Sequence, residues 1–303
     1  MDISGKFIVI ICIIINVFVL TYNQSQTLSL KEKKIFSLIK ISKIIKFNTL
    51  FFKFLIVLVV FTSHNAFGYK ENYYYEVQFG NFIVGKSQVF IEADSSHVIL
   101  NSKSKTAGFL DVLYQYEGHL YVSSVRGNNQ WFPKVFSASG NFNNKERSSK
   151  LNFENNLVKY KNYPVLDLKK VHPINQSTLI GVIDPITAFI NIIEKINAYQ
   201  ECDETFKIFD GRRRYDLKIK SLGITLLEND RPKSYNGKVV VCGLKVKPLG
   251  GHRLETKWRP NEDKFTDFKI FFGETSFGRT LPVRMELERW FGTIIIRLIK
   301  NEM

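Results

Sequence analysis

The stretch Thr205-Phe206-Lys207-Ile208-Phe209-Asp210-Gly211-Arg212-Arg213-Arg214-Tyr215-Asp216-Leu217-Lys218-Ile219 decides how this chain reads. Two alternating runs flank Asp210-Gly211, and Asp-Gly favours a two-residue hairpin turn because both central residues need positive φ. Such a turn pairs Phe209 with Arg212, Ile208 with Arg213 and Phe206 with Tyr215. Arg213, Tyr215, Leu217 and Ile219 then share a face with Phe206 and Ile208, while Arg212, Arg214, Asp216 and Lys218 face the other way. Cys202 and Cys242 bracket the hairpin and are the only cysteines outside the N-terminal hydrophobic region.

Working outward, the same texture recurs. Tyr73 to Phe79 alternates, Gly80-Asn81 turns, and Phe82 to Glu92 returns, with Gly85 at a candidate bulge. Further runs span His97 to Ser104, Val112 to Tyr116, His119 to Val125, Phe132 to Phe142, Lys150 to Glu154 and Leu157 to Tyr163. After the hairpin come Lys238 to Lys247, Phe265 to Phe272, Leu281 to Arg289 and Thr293 to Ile299. Short strands at this spacing make an antiparallel meander. One helix interrupts them. Asp184 is a good N-cap, Pro185 suits the first helical position, and Ile186, Phe189, Ile190 and Ile193 recur at helical spacing to about Ala198. The fold class is mainly β: a single large curved antiparallel sheet or open barrel, with one amphipathic helix (about 184–198) across its concave side.

The chain has 303 residues, 45% hydrophobic and 14% aromatic, ample for a packed core. Residues 69–303 are the size of one large β domain, and no Pro/Gly/Ser-rich linker divides them. The net charge of +15 splits into +6 for residues 1–68, with eight lysines against Asp2 and Glu32, and +9 for the remainder. A basic domain attracts an anionic lipid surface or an acidic partner, or simply carries a solvated face; no like-charge block stands out.

Two hydrophobic runs precede the domain. Phe7 to Leu20 is short for a membrane span, which needs ~20 residues. The second has the order of an export signal over about 40–68: Lys40, Lys43 and Lys46, then apolar Phe54 to Phe61, then Ala66-Phe67-Gly68 for cleavage before Tyr69. No methionine lies between Met1 and this run. Translation then starts near residues 38–50, or else the first run is a membrane anchor. Both readings put a single β-rich domain, 69–303, in the periplasm.

For Cys202 and Cys242 in an exported chain, a disulfide is the default reading and a pair of free core thiols the alternative. The bond would stabilise the fold by roughly 3–4 kcal/mol. Metal binding is not expected, since neither cysteine has a Cys or His at ligand spacing. His64, His97, His119, His172 and His252 are scattered, and no catalytic constellation, cofactor motif or nucleic-acid stripe is visible. Trp131, Trp258 and Trp290 read as core or cavity wall. Arg213, at the rim of the apolar face, could hold the anionic head of an amphiphile or snorkel to water. Two functional classes follow, and an enzyme is a third only if the fold gathers His119, His172 or His252 in a cleft with a carboxylate. The first is a non-enzymatic carrier whose hydrophobic ligand lies among Phe189, Ile193, Phe206 and Tyr215, with Arg213 at the rim. The second is a structural or partner-binding envelope protein with a filled core.

Tyr75-Glu76-Val77, Val84-Gly85-Lys86-Ser87, the Asp184-Pro185 helix start and Cys202…Phe209-Asp210-Gly211-Arg212-Arg213-Arg214-Tyr215-Asp216-Leu217…Cys242 together resemble a bacterial envelope family, domain-of-unknown-function family 3108. The likeness is greatest to its alphaproteobacterial members and covers nearly all of Tyr69 to Ile299. It implies an exported β-sheet domain and supplies no activity or catalytic residues. The long N-terminus departs from the family and puts the start site in question.

Overall fold

A computed structural model of the protein describes residues 68–254, 264–289 and 292–299. The expected export segment up to Phe67, the first apolar run, Trp258 and Trp290 lie outside the described residues.

The described residues form thirteen strands: β1 (Tyr69–Phe79), β2 (Phe82–Ala93), β3 (His97–Thr106), β4 (Tyr116–Arg126), β5 (Trp131–Phe142), β6 (Lys145–Glu154), β7 (Leu157–Tyr163), β8 (Glu204–Phe209), β9 (Arg214–Leu227), β10 (Gly237–Gly250), β11 (Phe268–Glu274), β12 (Thr280–Arg289) and β13 (Gly292–Ile299). They build one sheet in the order β7-β6-β5-β4-β3-β2-β1-β13-β12-β11-β10-β9-β8. Two meanders, β1–β7 and β8–β13, are thus joined where first strand meets last, from Tyr74 opposite Ile299 to Phe79 opposite Ile294. All the ladders are antiparallel.

Among the described residues, two hairpins use the two-residue turn with positive φ at both positions, and both are Asn-Asn: Asn143-Asn144 (φ 45° and 62°) and Asn155-Asn156 (φ 49° and 64°). Asn tolerates this region because its side chain bonds locally. The Asp210-Gly211 hairpin departs from expectation. Phe209 pairs with Arg214, Ile208 with Tyr215 and Phe206 with Leu217, leaving a four-residue loop. The cause is the Asp210 carboxylate, whose Oδ1 accepts the N–H of Arg212 (2.9 Å) and of Arg213 (2.7 Å). Of the four loop residues, Gly211 alone has positive φ, at 91°. A slip of two residues keeps every side chain on its expected face, but it puts Arg213 in the loop rather than opposite Ile208.

The expected strand over Val112 to Tyr116 is instead a short helix, α1 (Phe109–Leu113), followed by β4. Gly108 turns the chain out of β3 at φ 60°, with a Cβ there only 2.6 Å from the Ile83 carbonyl oxygen. Apolar runs this short do not distinguish strand from helix.

The long helix α2 (Pro185–Tyr199) starts and ends as its sequence directs. Asp184 Oδ1 accepts the N–H of Ile186 (2.8 Å) and Thr187 (3.0 Å), while its Oδ2 takes the Thr187 hydroxyl. Gln200 closes the other end in the left-handed region. The helix is buried more completely than a single apolar stripe requires. Pro185 to Ile190, Ile192, Ile193 and Ile196 are all buried, and it contacts β4, β5, β8 and β12, strands from both halves of the sheet. Polar ties repeat the pattern. Ser124 meets Thr187 at 2.8 Å, and Trp131 Nε1 donates to Glu194 at 3.1 Å. Arg126 pairs with Glu194 at 2.9 Å, and Thr280 donates to Asn197 at 2.6 Å. The sheet therefore curls around α2, and each large buried aliphatic side chain stabilises this arrangement by roughly 1.5–3 kcal/mol.

Asp184 is fully buried beneath this cap, and burial pushes its carboxyl up to about 6, against the lowering effect of the bonds from Thr187 and Ile186. The unfolded chain binds that proton only below about 3.8. Between these values the native state holds more protons, so this group makes stability fall as pH rises. Urea unfolding should show a loss of about 3 kcal/mol from this group across the window. Asp184→Asn keeps a capping oxygen but removes the titration, and its stability should lack that slope. Identical slopes in the two proteins would contradict the shift.

Candidate functional site at the hairpin tip

The Arg212-Arg213-Arg214 triplet divides into two anchors and one free cation. Arg212 Nη2 donates to the carbonyls of Tyr163 (2.7 Å), Pro164 (3.0 Å) and Ser148 (3.2 Å), tying the β8–β9 loop to β6 and to the end of β7. Its guanidinium is held below the usual arginine range, chiefly by burial and then by Arg147. Arg214 is 3% exposed. Its Nε donates to the Thr178 carbonyl (3.0 Å) and its Nη1 pairs with Asp216 (2.7 Å), linking β9 to the 3₁₀ turn Gln176–Leu179. The guanidinium of Arg213 makes no hydrogen bond or ion pair among the described residues.

The rest of the tip closes the sheet without a ladder between its edge strands. Gly211 fits because a Cβ there would lie 2.8 Å from both Leu151 Cδ1 and Ser149 Cβ. Asn162 Nδ2 donates to the Gly211 carbonyl at 2.7 Å. The Tyr160 ring meets Phe209 edge-on at 4.9 Å. The segment entering α2 completes the seam. Gly181 N–H donates to Asn156, Ile183 N–H to Lys207, and Phe209 N–H to Ile183.

The residues of the expected ligand wall divide between the sheet surface and the core. Phe206 and Tyr215 are half-buried and share a face, Tyr215 opposite Ile208 and Phe206 opposite Leu217. Burial, then the nearby Asp210 charge, raises the Tyr215 phenol well above its ordinary value. Phe189 and Ile193, on α2, are at most 2% exposed. A void large enough for a water would leave its walls accessible, so the space around these two is occupied by side chains.

Cys202 and Cys242 are joined by a disulfide with Cα atoms 6.3 Å apart. Cys242 lies opposite Ser221 on the β9–β10 ladder, and Ser221 Oγ accepts the Cys202 N–H at 2.7 Å. Closing 40 residues stabilises the fold by roughly 4 kcal/mol in the chain-entropy account.

Contrary to the scattered reading, two histidines do meet. The rings of His172 and His252 lie 4.2 Å apart, where Val171 bridges to Arg253. His97 and His119 sit apart, beside Asp94 and Glu117 respectively. Among the described residues no group of three or more His, Cys, Asp or Glu is arranged to hold a metal, and no helix is long and apolar enough to cross a membrane. At the far end of α2, half-buried Tyr69, Glu71 and Arg279 form a cluster with Tyr73. Arg279 stacks 3.9 Å over the Tyr69 ring and pairs with Glu71 at 3.4 Å, and the Tyr73 phenol donates to Glu71.

An open antiparallel, barrel-like sheet sealed by a hairpin tip and filled by a helix is the class these features define. The chain belongs to the family described as a protein of unknown function (DUF3108), whose model matches residues 74–299. Among solved structures it is similar to a β-barrel-like protein of the domain of unknown function DUF1849 from Brucella abortus. That match has 13% identity and a TM-score of 0.48 over 77% of this chain and 97% of the other. No curated protein matches it.

The two anchors were hidden in the sequence because the hairpin alone places them on an outer face. The available signal was Phe209, an aromatic on that same face, which implies a covering layer at the tip. Arg212→Ala and Arg214→Ala should each lower unfolding stability by about 2–4 kcal/mol. Gly211→Ala should lose about 1–3 kcal/mol through its φ and the Leu151 contact. Arg213→Ala should stay within about 0.5 kcal/mol of wild type. Chemical denaturation of the four variants checks this order, and an Arg213 variant as damaged as the other two arginine variants would contradict it.

Proposed function

We propose that this chain is an exported, non-enzymatic envelope domain that acts as a structural or partner-binding barrel and carries no ligand in its interior. The observation that carries this reading is the complete burial of Ile186, Phe189 and Ile193 between helix and sheet. A hydrophobic ligand would have to displace packed core there, at a cost of several kcal/mol. The disulfide, which persists in oxidising compartments, and the signal-like order of residues 40–68 support export.

Binding then falls to the surface. Phe82, Phe109, Val112 and Leu113 are exposed together at one rim, with the Phe82 and Phe109 rings edge-on at 5.4 Å. Contiguous exposed apolar side chains of this size mark interaction sites, and the contact is assigned to a protein of the envelope.

Native mass spectrometry of protein purified from its envelope should show no stoichiometric lipid. A photo-crosslinking residue at Val112 should capture a discrete protein in intact cells. One lipid retained per chain, or a crosslink to lipid alone, would overturn the reading.

A further inference from the structure

Lysines that are scattered in the sequence gather on the outer face of β8, β9 and β10. On these strands Ile208, Leu217, Ile219 and Leu244 point into the core and are buried, so the alternate positions face outward. Two rows cross the three strands there. Thr205 lies opposite Lys218 and Lys218 opposite Lys245, while Lys207 lies opposite Asp216 and Asp216 opposite Lys247. Lys207, Lys218 and Lys247 are exposed and have no ion pair among the described residues. Lys245 is half-buried, its Nζ 4.3 Å over the Phe265 ring. Asp216 is the one carboxylate of the two rows, and the buried Arg214 takes it at 2.7 Å. In the next row, Lys220 and Lys269 lie on either side of Gly243. There the balance returns, with Asp203 near Lys220 and Glu286 and Glu288 on Lys269.

We propose that this face docks on the anionic headgroups of a lipid membrane. Charge complementarity names the occupant. Strand spacing of about 4.8 Å and a two-residue rise of about 7 Å place the four lysine positions within about 10 by 7 Å. They act together, since that span is no more than the screening length of about 10 Å at 0.1 M salt. Lys218 directly opposite Lys245 is a like-charge pair, which disfavours the isolated sheet and is relieved by an external negative charge. The exposed cations of the two rows are all lysine. Each is a mobile point charge suited to a diffuse anionic surface, whereas bidentate recognition of one carboxylate or phosphate favours arginine. Such a contact is reversible and is screened by salt, so no lipid stays with the purified chain.

The test is co-sedimentation of the protein, purified from its envelope, with vesicles of phosphatidylcholine alone or mixed equally with phosphatidylglycerol. Binding to the mixed vesicles should exceed binding to the neutral ones at about 0.1 M salt, and the excess should vanish at about 1 M. Lys218→Gln should lower the excess about fivefold, and Lys207→Gln with Lys247→Gln roughly 25-fold. Lys103→Gln with Lys105→Gln removes the same net charge from exposed positions on β3 and should leave the excess nearly unchanged. Equal binding to the two kinds of vesicle would overturn the proposal, as would an excess that survives about 1 M salt. So would a β3 pair as harmful as the β8–β10 pair, which would show that net charge alone is at work. Capture of an acidic protein through Lys207 and Lys247, with no vesicle excess, would also overturn it.

Discussion

A curled sheet of thirteen strands cannot fill its own interior. Side chains suffice for a barrel of about eight strands, and wider ones leave a cavity or channel. Here the missing volume is supplied by α2, apolar around most of its circumference and gripped by strands from both halves of the sheet. The rest of the structure depends on that insertion. It requires a helix start that can be buried, which Asp184 provides by satisfying two backbone N–H groups and the Thr187 hydroxyl. The requirement also explains the raised Asp184 carboxyl. A charge is disfavoured where the helix must go, yet an unsatisfied N-terminus would be worse.

The second dependence is the seam. Sheet edges β7 and β8 share no ladder, and closure relies on the β8–β9 loop: Arg212 on three carbonyls, Gly211 against Leu151, and Phe209 against Tyr160. The disulfide stands behind the same hairpin, holding the exit of α2 to β10. Helix, hairpin and covalent bond therefore form one unit. Its cost is an irregular β9, covered by β8 along its first part and open along its second.

Much of this was legible in the chain. Alternation identified the strands, because a half-buried antiparallel sheet imposes a period of two. Asp184-Pro185 with the Ile186, Phe189, Ile190 and Ile193 spacing identified the helix and its start. The pairing of first strand with last was not legible, since nothing local in Tyr74 or Ile299 records a partner more than two hundred residues away. The hairpin register differs by two from the one Asp-Gly implies, because Asp210 does more than turn the chain. Its side chain binds two backbone amides and enlarges the loop. Arg213 drew attention for its place on the apolar face, whereas Arg212 and Arg214 bear on a layer, β6–β7 and the 3₁₀ turn, that only the closed sheet brings near. The histidine contact escaped for the same reason, since His172 and His252 meet through a bridge between distant segments.

The central claim is that α2 is the core of the closed sheet rather than a lid over a cavity. Native-state hydrogen exchange of the amides from Phe189 to Ile196 tests it most directly. If the helix fills the interior, these amides exchange only through global unfolding, with the same free energy as the central strands β1 and β13. Exchange of the helix at markedly lower free energy than those strands, while the sheet stays protected, would contradict the account.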